Sequence, residues 1–149
     1  MKKYIKSNSY QRGNGFTLVE VMVVVVILGI LAAIIVPKIM SRPEQARIVK
    51  VKQDILGIQS GLDLYKLDNA VYPTTDQGLQ ALVSKPSISP IPRNWKSEGY
   101  LHELPIDPWG QPYQYINDNE KVKIFSYGPK GKEGNSEIGN WNMNEAESH

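Results

Sequence analysis

The chain has 149 residues, which is the length of a single domain and argues against a multidomain enzyme. Its 17 basic and 15 acidic side chains give a formal net charge of +2, and it has no cysteine. The lack of cysteine excludes disulfides, thiolate metal sites and a cysteine nucleophile. Four of the basic residues precede Phe16 and no acidic residue does, so the rest of the chain carries 13 basic and 15 acidic residues. It therefore lacks the basic patch that is typical of nucleic-acid binding.

Residues 16–36 form the most apolar segment, with 18 of 21 residues apolar and one charge, Glu20. As a helix this segment would be about 32 Å long, which matches the hydrocarbon thickness of a bilayer. We therefore expect a transmembrane helix. The basic residues before it place the amino terminus in the cytoplasm and the rest of the chain on the other side of the membrane.

A distinctive string, Gly15-Phe16-Thr17-Leu18-Val19-Glu20, joins the basic leader to the apolar segment. With this string the chain resembles the type IV prepilin family, whose members are cut after a glycine that precedes an apolar helix. The resemblance implies that prepilin peptidase removes residues 1–15 by cutting after Gly15, and that Phe16 becomes the methylated amino-terminal residue. A secretory signal peptide fits less well, because no small-residue cleavage pattern follows the apolar segment.

Glu20 needs an explanation on physical grounds as well. A carboxylate in a membrane helix costs about 2.5 to 3.5 kcal/mol at full depth and usually has a functional partner. Cleavage after Gly15 would create a cation on Phe16, one helical turn away, and in a filament Glu20 could instead hold the ammonium of a neighbouring subunit and set the register. The alternative is that Glu20 only extends to the lipid headgroups.

Beyond the apolar segment, Pro37 and Pro43 predict a kink or a locally unwound stretch. Helical periodicity returns from Glu44, and the apolar positions that carry it are Ile48, Val51, Ile55, Ile58, Leu62 and Tyr65. We expect this helix to pack on a small domain and to end near Asn69 in a left-handed cap. Gly57 and Gly61 lie beside the apolar face and predict close packing of this helix against the domain or against a neighbouring helix.

Thr74 and Gln77 have the spacing of a capping box and predict a short second helix over residues 75–84. Six prolines between residues 86 and 112 predict loop over residues 85–110. Two segments rich in β-branched and aromatic residues, 113–117 and 122–127, predict an antiparallel hairpin. The expected fold class is therefore α+β: a long amino-terminal helix with a short second helix and a small antiparallel sheet packed on its second half.

Longer strings resemble one group of the pilin-like proteins, the major (G-type) pseudopilins of the type II secretion system. They include Tyr72-Pro73-Thr74-Thr75-Asp76-Gln77-Gly78, Asp107-Pro108-Trp109-Gly110 and Ile138-Gly139-Asn140-Trp141. The resemblance implies a type IV pilin-like fold with a cleaved leader (1–15), a transmembrane and filament-core helix (16–36) and a periplasmic domain (37–149). It also implies an inner-membrane precursor that is not an enzyme and that polymerises into a pseudopilus driving export of folded proteins.

The same resemblance implies several partners: other copies of the chain, prepilin peptidase, the minor pseudopilins and the inner-membrane assembly platform. Two alternatives remain open. One is a pilin of a type IV pilus or competence system, although the absence of cysteine argues against the disulfide loop of many such pilins. The other is a membrane-anchored periplasmic binding domain that does not polymerise.

The resemblance further implies a calcium ion in the loop after the last strand, held by aspartates and carbonyl oxygens. This chain departs from that pattern, because it reads Gly128-Pro129-Lys130-Gly131 and has no aspartate before Ile138. Calcium needs six to eight oxygen ligands, and a lysine repels it. We predict a loop without metal, in which Lys130 or Lys132 pairs with Glu133 or Glu137. The alternative is that Glu133 and Glu137, with backbone carbonyls, hold calcium.

No catalytic residues are expected, and scattered carboxylates such as Glu103 and Asp107 are expected to be solvated in a loop. His102 and His149 are the only histidines, so one chain cannot assemble a histidine cluster for zinc. Most of the tyrosines and tryptophans are expected in the core of the small domain.

Overall fold

The computed structural model describes residues 2–4 and 13–145; for residues 35–41 it describes the backbone alone. The chain divides into two compact units, Met1–Ser41 and Arg42–His149. A single helix, α1 (Leu18–Asn69), contributes residues to both units. It remains helical through Pro37 and Pro43, so the predicted unwinding is wrong for the described backbone. One proline removes a single N–H donor, and the flanking turns keep their helical state.

In the second unit, the apolar face of α1 forms the centre of the core, as its periodicity predicts. Five of its residues are at most 1% exposed: Val51, Ile55, Ile58, Leu62 and Tyr65. Leu82 and Ile124 pack against this face and are fully buried. Gly61 lies under Leu101, where a Cβ would come within 3.1 Å of Cγ, whereas a Cβ on Gly57 would meet nothing within 4 Å. The predicted close packing against the domain is therefore confirmed at Gly61, and close packing of Gly57 against a neighbouring helix stays a prediction.

α1 ends at Asn69, as expected, but the left-handed residue is Ala70, with a φ of 68°. The Asn69 side chain makes other contacts: its amide group donates hydrogen bonds to the Tyr65 carbonyl and the Tyr100 hydroxyl, both at 3.1 Å. Its side-chain oxygen accepts a hydrogen bond from the Asn94 backbone. Asn69 therefore joins the end of the helix to the following loop, and the predicted left-handed asparagine is wrong.

The capping box is present but does not start an α-helix. Thr74 and Gln77 exchange two hydrogen bonds, from the Thr74 N–H to the Gln77 side chain (3.0 Å) and from the Gln77 N–H to the Thr74 hydroxyl (3.2 Å). A turn follows, and then one 3-10 helix, Leu79–Leu82, in place of the predicted helix. The helical path is broken at Gly78, whose φ is 61°.

The predicted loop over residues 85–110 is confirmed, because no helix or strand is assigned there apart from an isolated bridge at Ile106. The buried side chain of Gln77 holds part of this loop by donating hydrogen bonds to the carbonyls of Ile88 and Pro90, both at 2.8 Å.

The sheet has three antiparallel strands in the order β1-β2-β3: β1 (Gln114–Asp118), β2 (Lys121–Ser126) and β3 (Ile138–Gly139). The predicted hairpin is confirmed within about one residue at its ends. Asn119 and Glu120 form its corner, both with positive φ, which is typical of a two-residue hairpin turn. β3 was not predicted. Tyr113 and Tyr115 are buried as expected, whereas Trp141 is 49% exposed.

Candidate assembly segment and carboxyl-terminal loop

Thr17 caps the start of α1. Its hydroxyl accepts a hydrogen bond from the Glu20 N–H (3.2 Å), and its carbonyl accepts the first helical bond, from the Val21 N–H (3.2 Å). This cap satisfies one of the free donors of the first turn and places Glu20 at the third helical position. The cap was missed in the sequence, although the Thr-x-x-Glu spacing of Thr17 and Glu20 is the capping-box signal recognised at Thr74 and Gln77.

The Glu20 carboxylate is exposed in the first turn of α1. Within the described part of the chain it accepts no hydrogen bond and forms no ion pair. With Phe16, Val21, Val24 and Val25 it lines a groove of about 230 Å³. The carboxylate is thus available to a cation that the described residues do not supply.

The apolar residues around Glu20 are all accessible. From Phe16 to Ile34, every large apolar side chain is at least 49% exposed, and Phe16 is 81% exposed. No helix among the described residues is both long enough and apolar enough to cross a bilayer.

The predicted cleavage site precedes the helix. Gly13 and Gly15 are exposed, and a Cβ added to either would meet nothing within 4 Å. The Gly15 N–H donates a hydrogen bond to the Gly13 carbonyl at 2.9 Å. The bond between Gly15 and Phe16 is therefore accessible and lies outside regular secondary structure.

Residues 128–137, the carboxyl-terminal loop, lie between Tyr127, which follows β2, and the start of β3. Its first residue, Gly128, has a φ of 73° and lies so close to the Ser136 carbonyl that a side chain would not fit. The Ser136 hydroxyl donates a hydrogen bond to the Tyr127 carbonyl at 3.0 Å. The loop is therefore closed by short contacts between its two ends.

The lysines of this loop do not make the predicted ion pairs. Within residues 13–145, Lys130 and Lys132 lie beyond 4.0 Å from the carboxylates of Glu133 and Glu137. All four side chains are exposed, so water solvates their charges and pairing contributes little. The prediction that a lysine replaces the calcium charge by pairing with a glutamate is wrong.

The residues of this loop do not fit a calcium site. No three histidine or acidic side chains in the described part of the chain come together as metal ligands. The two lysines add positive charge where calcium would need several carboxylates.

Asp107 is a buried carboxylate that organises the base of this region, so the expectation of a solvated loop carboxylate is wrong for Asp107. One carboxylate oxygen accepts hydrogen bonds from the backbone of Trp109 (3.1 Å) and Gln111 (2.7 Å). The other accepts one from the Ser126 hydroxyl (2.6 Å), whose oxygen in turn accepts the Gly128 N–H (3.0 Å). Asp107 thereby ties its own turn to the end of β2 and the start of the carboxyl-terminal loop.

A second polar network joins α1 to the segment that leads into the sheet. The Tyr113 hydroxyl donates a hydrogen bond to Asp54 at 2.7 Å, and Lys50 pairs with the same carboxylate oxygen. Lys50 also donates a hydrogen bond to the Ile106 carbonyl at 3.1 Å. Burial, and then the bond to Asp54, raise the pKa of Tyr113 well above its usual range.

Two known family models match this chain, one over its second unit and one over its amino-terminal segment. A family model described as "Type II secretion system (T2SS), protein G" matches residues 38–141, which is more than half of the chain. The chain belongs to this family. A second model, the prokaryotic N-terminal methylation motif, matches residues 11–36, which contain Gly15, Phe16 and Glu20.

Other protein G sequences are similar over nearly their whole length. The type II secretion system core protein G of Pseudomonas aeruginosa is 57% identical, with 86% of this chain and 94% of that protein covered. The protein of the same name from Vibrio cholerae is 51% identical, with 89% and 94% covered. These matches confirm the resemblance read from the sequence and favour protein G over a type IV pilus or competence pilin.

A solved structure confirms the fold. The major pseudopilin from the type 2 secretion system of enterohaemorrhagic Escherichia coli is 47% identical, with a TM-score of 0.64. The match covers 69% of this chain and 93% of that one. The α+β, pilin-like architecture of the protein G family is therefore shared by this chain.

Proposed function

We propose that this protein G chain is cut between Gly15 and Phe16 and then packs with other copies of itself through residues 16–36. Its family membership makes it a structural subunit of the type II secretion pseudopilus, not an enzyme, that assembles with other components of that system. The observation that carries the proposal is the start of α1. There an exposed apolar surface surrounds the Glu20 carboxylate, which has no hydrogen-bond or ion-pair partner among the described residues.

The apolar surface needs a cover. A contiguous apolar surface of this size is unfavourable in water and marks contact with lipid or protein. In the precursor, lipid would cover it, with residues 1–15 in the cytoplasm and the second unit in the periplasm. After assembly the same side chains would be covered by neighbouring helices, so burial is kept while the subunit leaves the inner membrane.

Glu20 supplies the specificity that apolar packing lacks. Its insertion costs about 2.5 to 3.5 kcal/mol at full depth. A cation 4 Å away contributes about 4 kcal/mol at an effective dielectric constant of 20, which is enough to offset that cost. Cleavage creates such a cation on Phe16, and methylation of an amine leaves its charge in place. Pairing between Glu20 of one copy and Phe16 of the next would fix the register of adjacent helices.

The finer assignments extend this proposal. Prepilin peptidase would cut and methylate the chain, and the minor pseudopilins and the inner-membrane platform would be its assembly partners. We also propose that the carboxyl-terminal loop holds no calcium. The two lysines in this loop and the contacts that close it without an ion support this last point.

Mass spectrometry of the mature protein tests the cleavage step. We expect a polypeptide that starts at a methylated Phe16. A protein from cells that still begins at Met1, or that begins beyond Ala33, would contradict the proposal.

Cysteine crosslinking tests the assembly step, and the absence of native cysteine makes it clean. Single cysteines placed along residues 21–34 should crosslink neighbouring copies of the otherwise unchanged chain in the assembled pseudopilus. Glu20→Gln should keep cleavage but lose most of the crosslinking, because it removes the charge and keeps the shape. Thr17→Ala is the matched control: it weakens the helix cap by about 1 kcal/mol without changing a charge. Equal crosslinking in the parent and Glu20→Gln would refute the role of Glu20.

A further inference from the structure

Asn14 is the only asparagine in the sequence that is followed by a glycine, and that glycine is Gly15, at the proposed cleavage site. Residues 13–17 contain no helix or strand, and Asn14 is exposed. Its side-chain amide forms no hydrogen bond with any residue in the described ranges. No contact among these residues therefore keeps the amide away from the backbone that follows it.

The backbone on both sides of Asn14 has unusual freedom. Gly13 and Gly15 flank it, and a Cβ added to either would meet nothing within 4 Å. Because glycine has no Cβ, Gly15 does not obstruct the approach of its own nitrogen to the preceding side chain. One hydrogen bond, from the Gly15 N–H to the Gly13 carbonyl at 2.9 Å, curves the chain around Asn14. Both glycines are exposed, so water can replace this bond and free the Gly15 nitrogen.

We propose that Asn14 is a site of spontaneous modification to isoaspartate, and that the modified precursor is no longer cut between Gly15 and Phe16. The Gly15 nitrogen loses its proton and attacks Cγ of Asn14, the C–N bond of the side-chain amide breaks, and ammonia leaves. Water then opens the succinimide ring to isoaspartate or aspartate. The reacting groups belong to adjacent residues, which favours the attack, and water is the one co-reactant.

Isoaspartate changes the main chain next to the proposed cleavage site. The chain then runs through the former side-chain carbon, so it is longer by a carbon atom just before Gly15, and the former backbone carbonyl becomes a carboxylate. Residues 1–15 contain no acidic side chain, so this carboxylate also brings a negative charge into a basic segment. A peptidase that binds the main chain before Phe16 would find the Gly15 carbonyl displaced. The loss of cleavage rests on the proposed function, whereas the modification needs only Asn14, Gly15 and water.

The modification is tested on the full, uncut chain, produced without prepilin peptidase and kept in detergent at neutral pH and physiological temperature. Mass spectrometry of proteolytic peptides follows each asparagine with time and identifies isoaspartate by fragmentation. Asn14 should change at least about tenfold faster than Asn119, which is also exposed but is followed by Glu120. Asn14→Gln is the matched control, because it keeps the amide but forms the corresponding larger ring far more slowly. A rate at Asn14 no higher than the rate at Asn119 overturns the proposal.

Cleavage is then compared between fresh and aged chains. Prepilin peptidase in detergent should cut the fresh parent, and both fresh and aged Asn14→Gln, after Gly15. It should leave the isoaspartate-containing fraction of the aged parent uncut. Isoaspartate in the released leader peptide would overturn the proposed block, because the modified chain would then have been cut. If the fresh parent is not cut after Gly15, the proposed function and the block fail together, whereas the rates at Asn14 and Asn119 still decide the modification.

Discussion

Replacement of Asp107 by alanine should be one of the most damaging single changes in the second unit. Asp107 is 4% exposed and Ser126 is fully buried, so water cannot easily replace the bond between them. The substitution removes the acceptor of three hydrogen bonds, from Ser126 and from the backbone of Trp109 and Gln111. It also loosens Gly128, whose N–H depends on the Ser126 hydroxyl oxygen.

The size of the effect follows from these contacts. A hydrogen bond to a charged group contributes about 1.5 to 3 kcal/mol, and a buried donor without an acceptor costs about 1 to 3 kcal/mol. Gln111 is exposed, so its N–H can bond to water. We therefore expect Asp107→Ala to lower the free energy of unfolding by about 3 to 5 kcal/mol. Asp107→Asn keeps one acceptor oxygen and turns the other into a donor facing Ser126, so about 1 to 2 kcal/mol is expected.

Urea unfolding of the full chain in detergent, followed by near-ultraviolet circular dichroism, measures these differences. Asp76→Ala is the matched control, because Asp76 is exposed and forms no hydrogen bond or ion pair in the described part of the chain. It should change the free energy of unfolding by less than about 0.5 kcal/mol. The reasoning is refuted if Asp107→Ala is as stable as Asp76→Ala, or if Asp107→Asn is as damaging as Asp107→Ala.

Three further predictions concern pH, packing and metal. Burial raises the pKa of Tyr113 and Tyr115 above the ordinary value of 10.0, so the folded chain keeps protons that the unfolded chain loses. This stabilisation is complete below about pH 10. Above that pH it falls by at most about 1.4 kcal/mol per pH unit for each tyrosine. A urea unfolding midpoint that stays the same between pH 9 and about 11 would contradict this prediction. Gly139→Ala should lower the free energy of unfolding by about 1 to 3 kcal/mol, because the added Cβ would collide with the Trp141 ring. Gly57→Ala is the contrasting change. It should stabilise the helix by up to about 1 kcal/mol, because its Cβ would meet nothing within 4 Å. Thermal unfolding with calcium or with a chelator should give the same midpoint if the carboxyl-terminal loop holds no metal, and a midpoint that rises with calcium would refute this.

The sequence predicted well those features that depend on residues close together in the chain. The apolar segment, the helical periodicity from Ile48 to Tyr65 and the hairpin are local patterns, because side chains recur at the spacing of one helix or one strand. The motif around Gly15, Phe16 and Glu20 is local as well. Family membership and the fold class could therefore be inferred before the structure, whereas cleavage and register remain predictions.

Local patterns failed where distant parts of the chain compete for the same backbone. Thr74 and Gln77 form the predicted capping box, but the Gln77 side chain also holds the loop near Pro90, and Gly78 turns the chain out of the helical path. A short 3-10 helix, Leu79–Leu82, is the result. The residue pattern of 75–84 by itself does not predict the hydrogen bonds from Gln77 to the distant loop.

By itself, therefore, the sequence determined the exposed apolar helix, the helix face that forms the core and the family. The tertiary structure alone decided that Asp107 bonds to Ser126, 19 residues away, and that Ile138 adds a third strand to the sheet. It also decided that Lys130 and Lys132 form no ion pair with a carboxylate in the described part of the chain. The physical reason is that hydrogen bonding and charge depend on which groups meet in space, whereas hydrophobic periodicity depends on how one segment is wound.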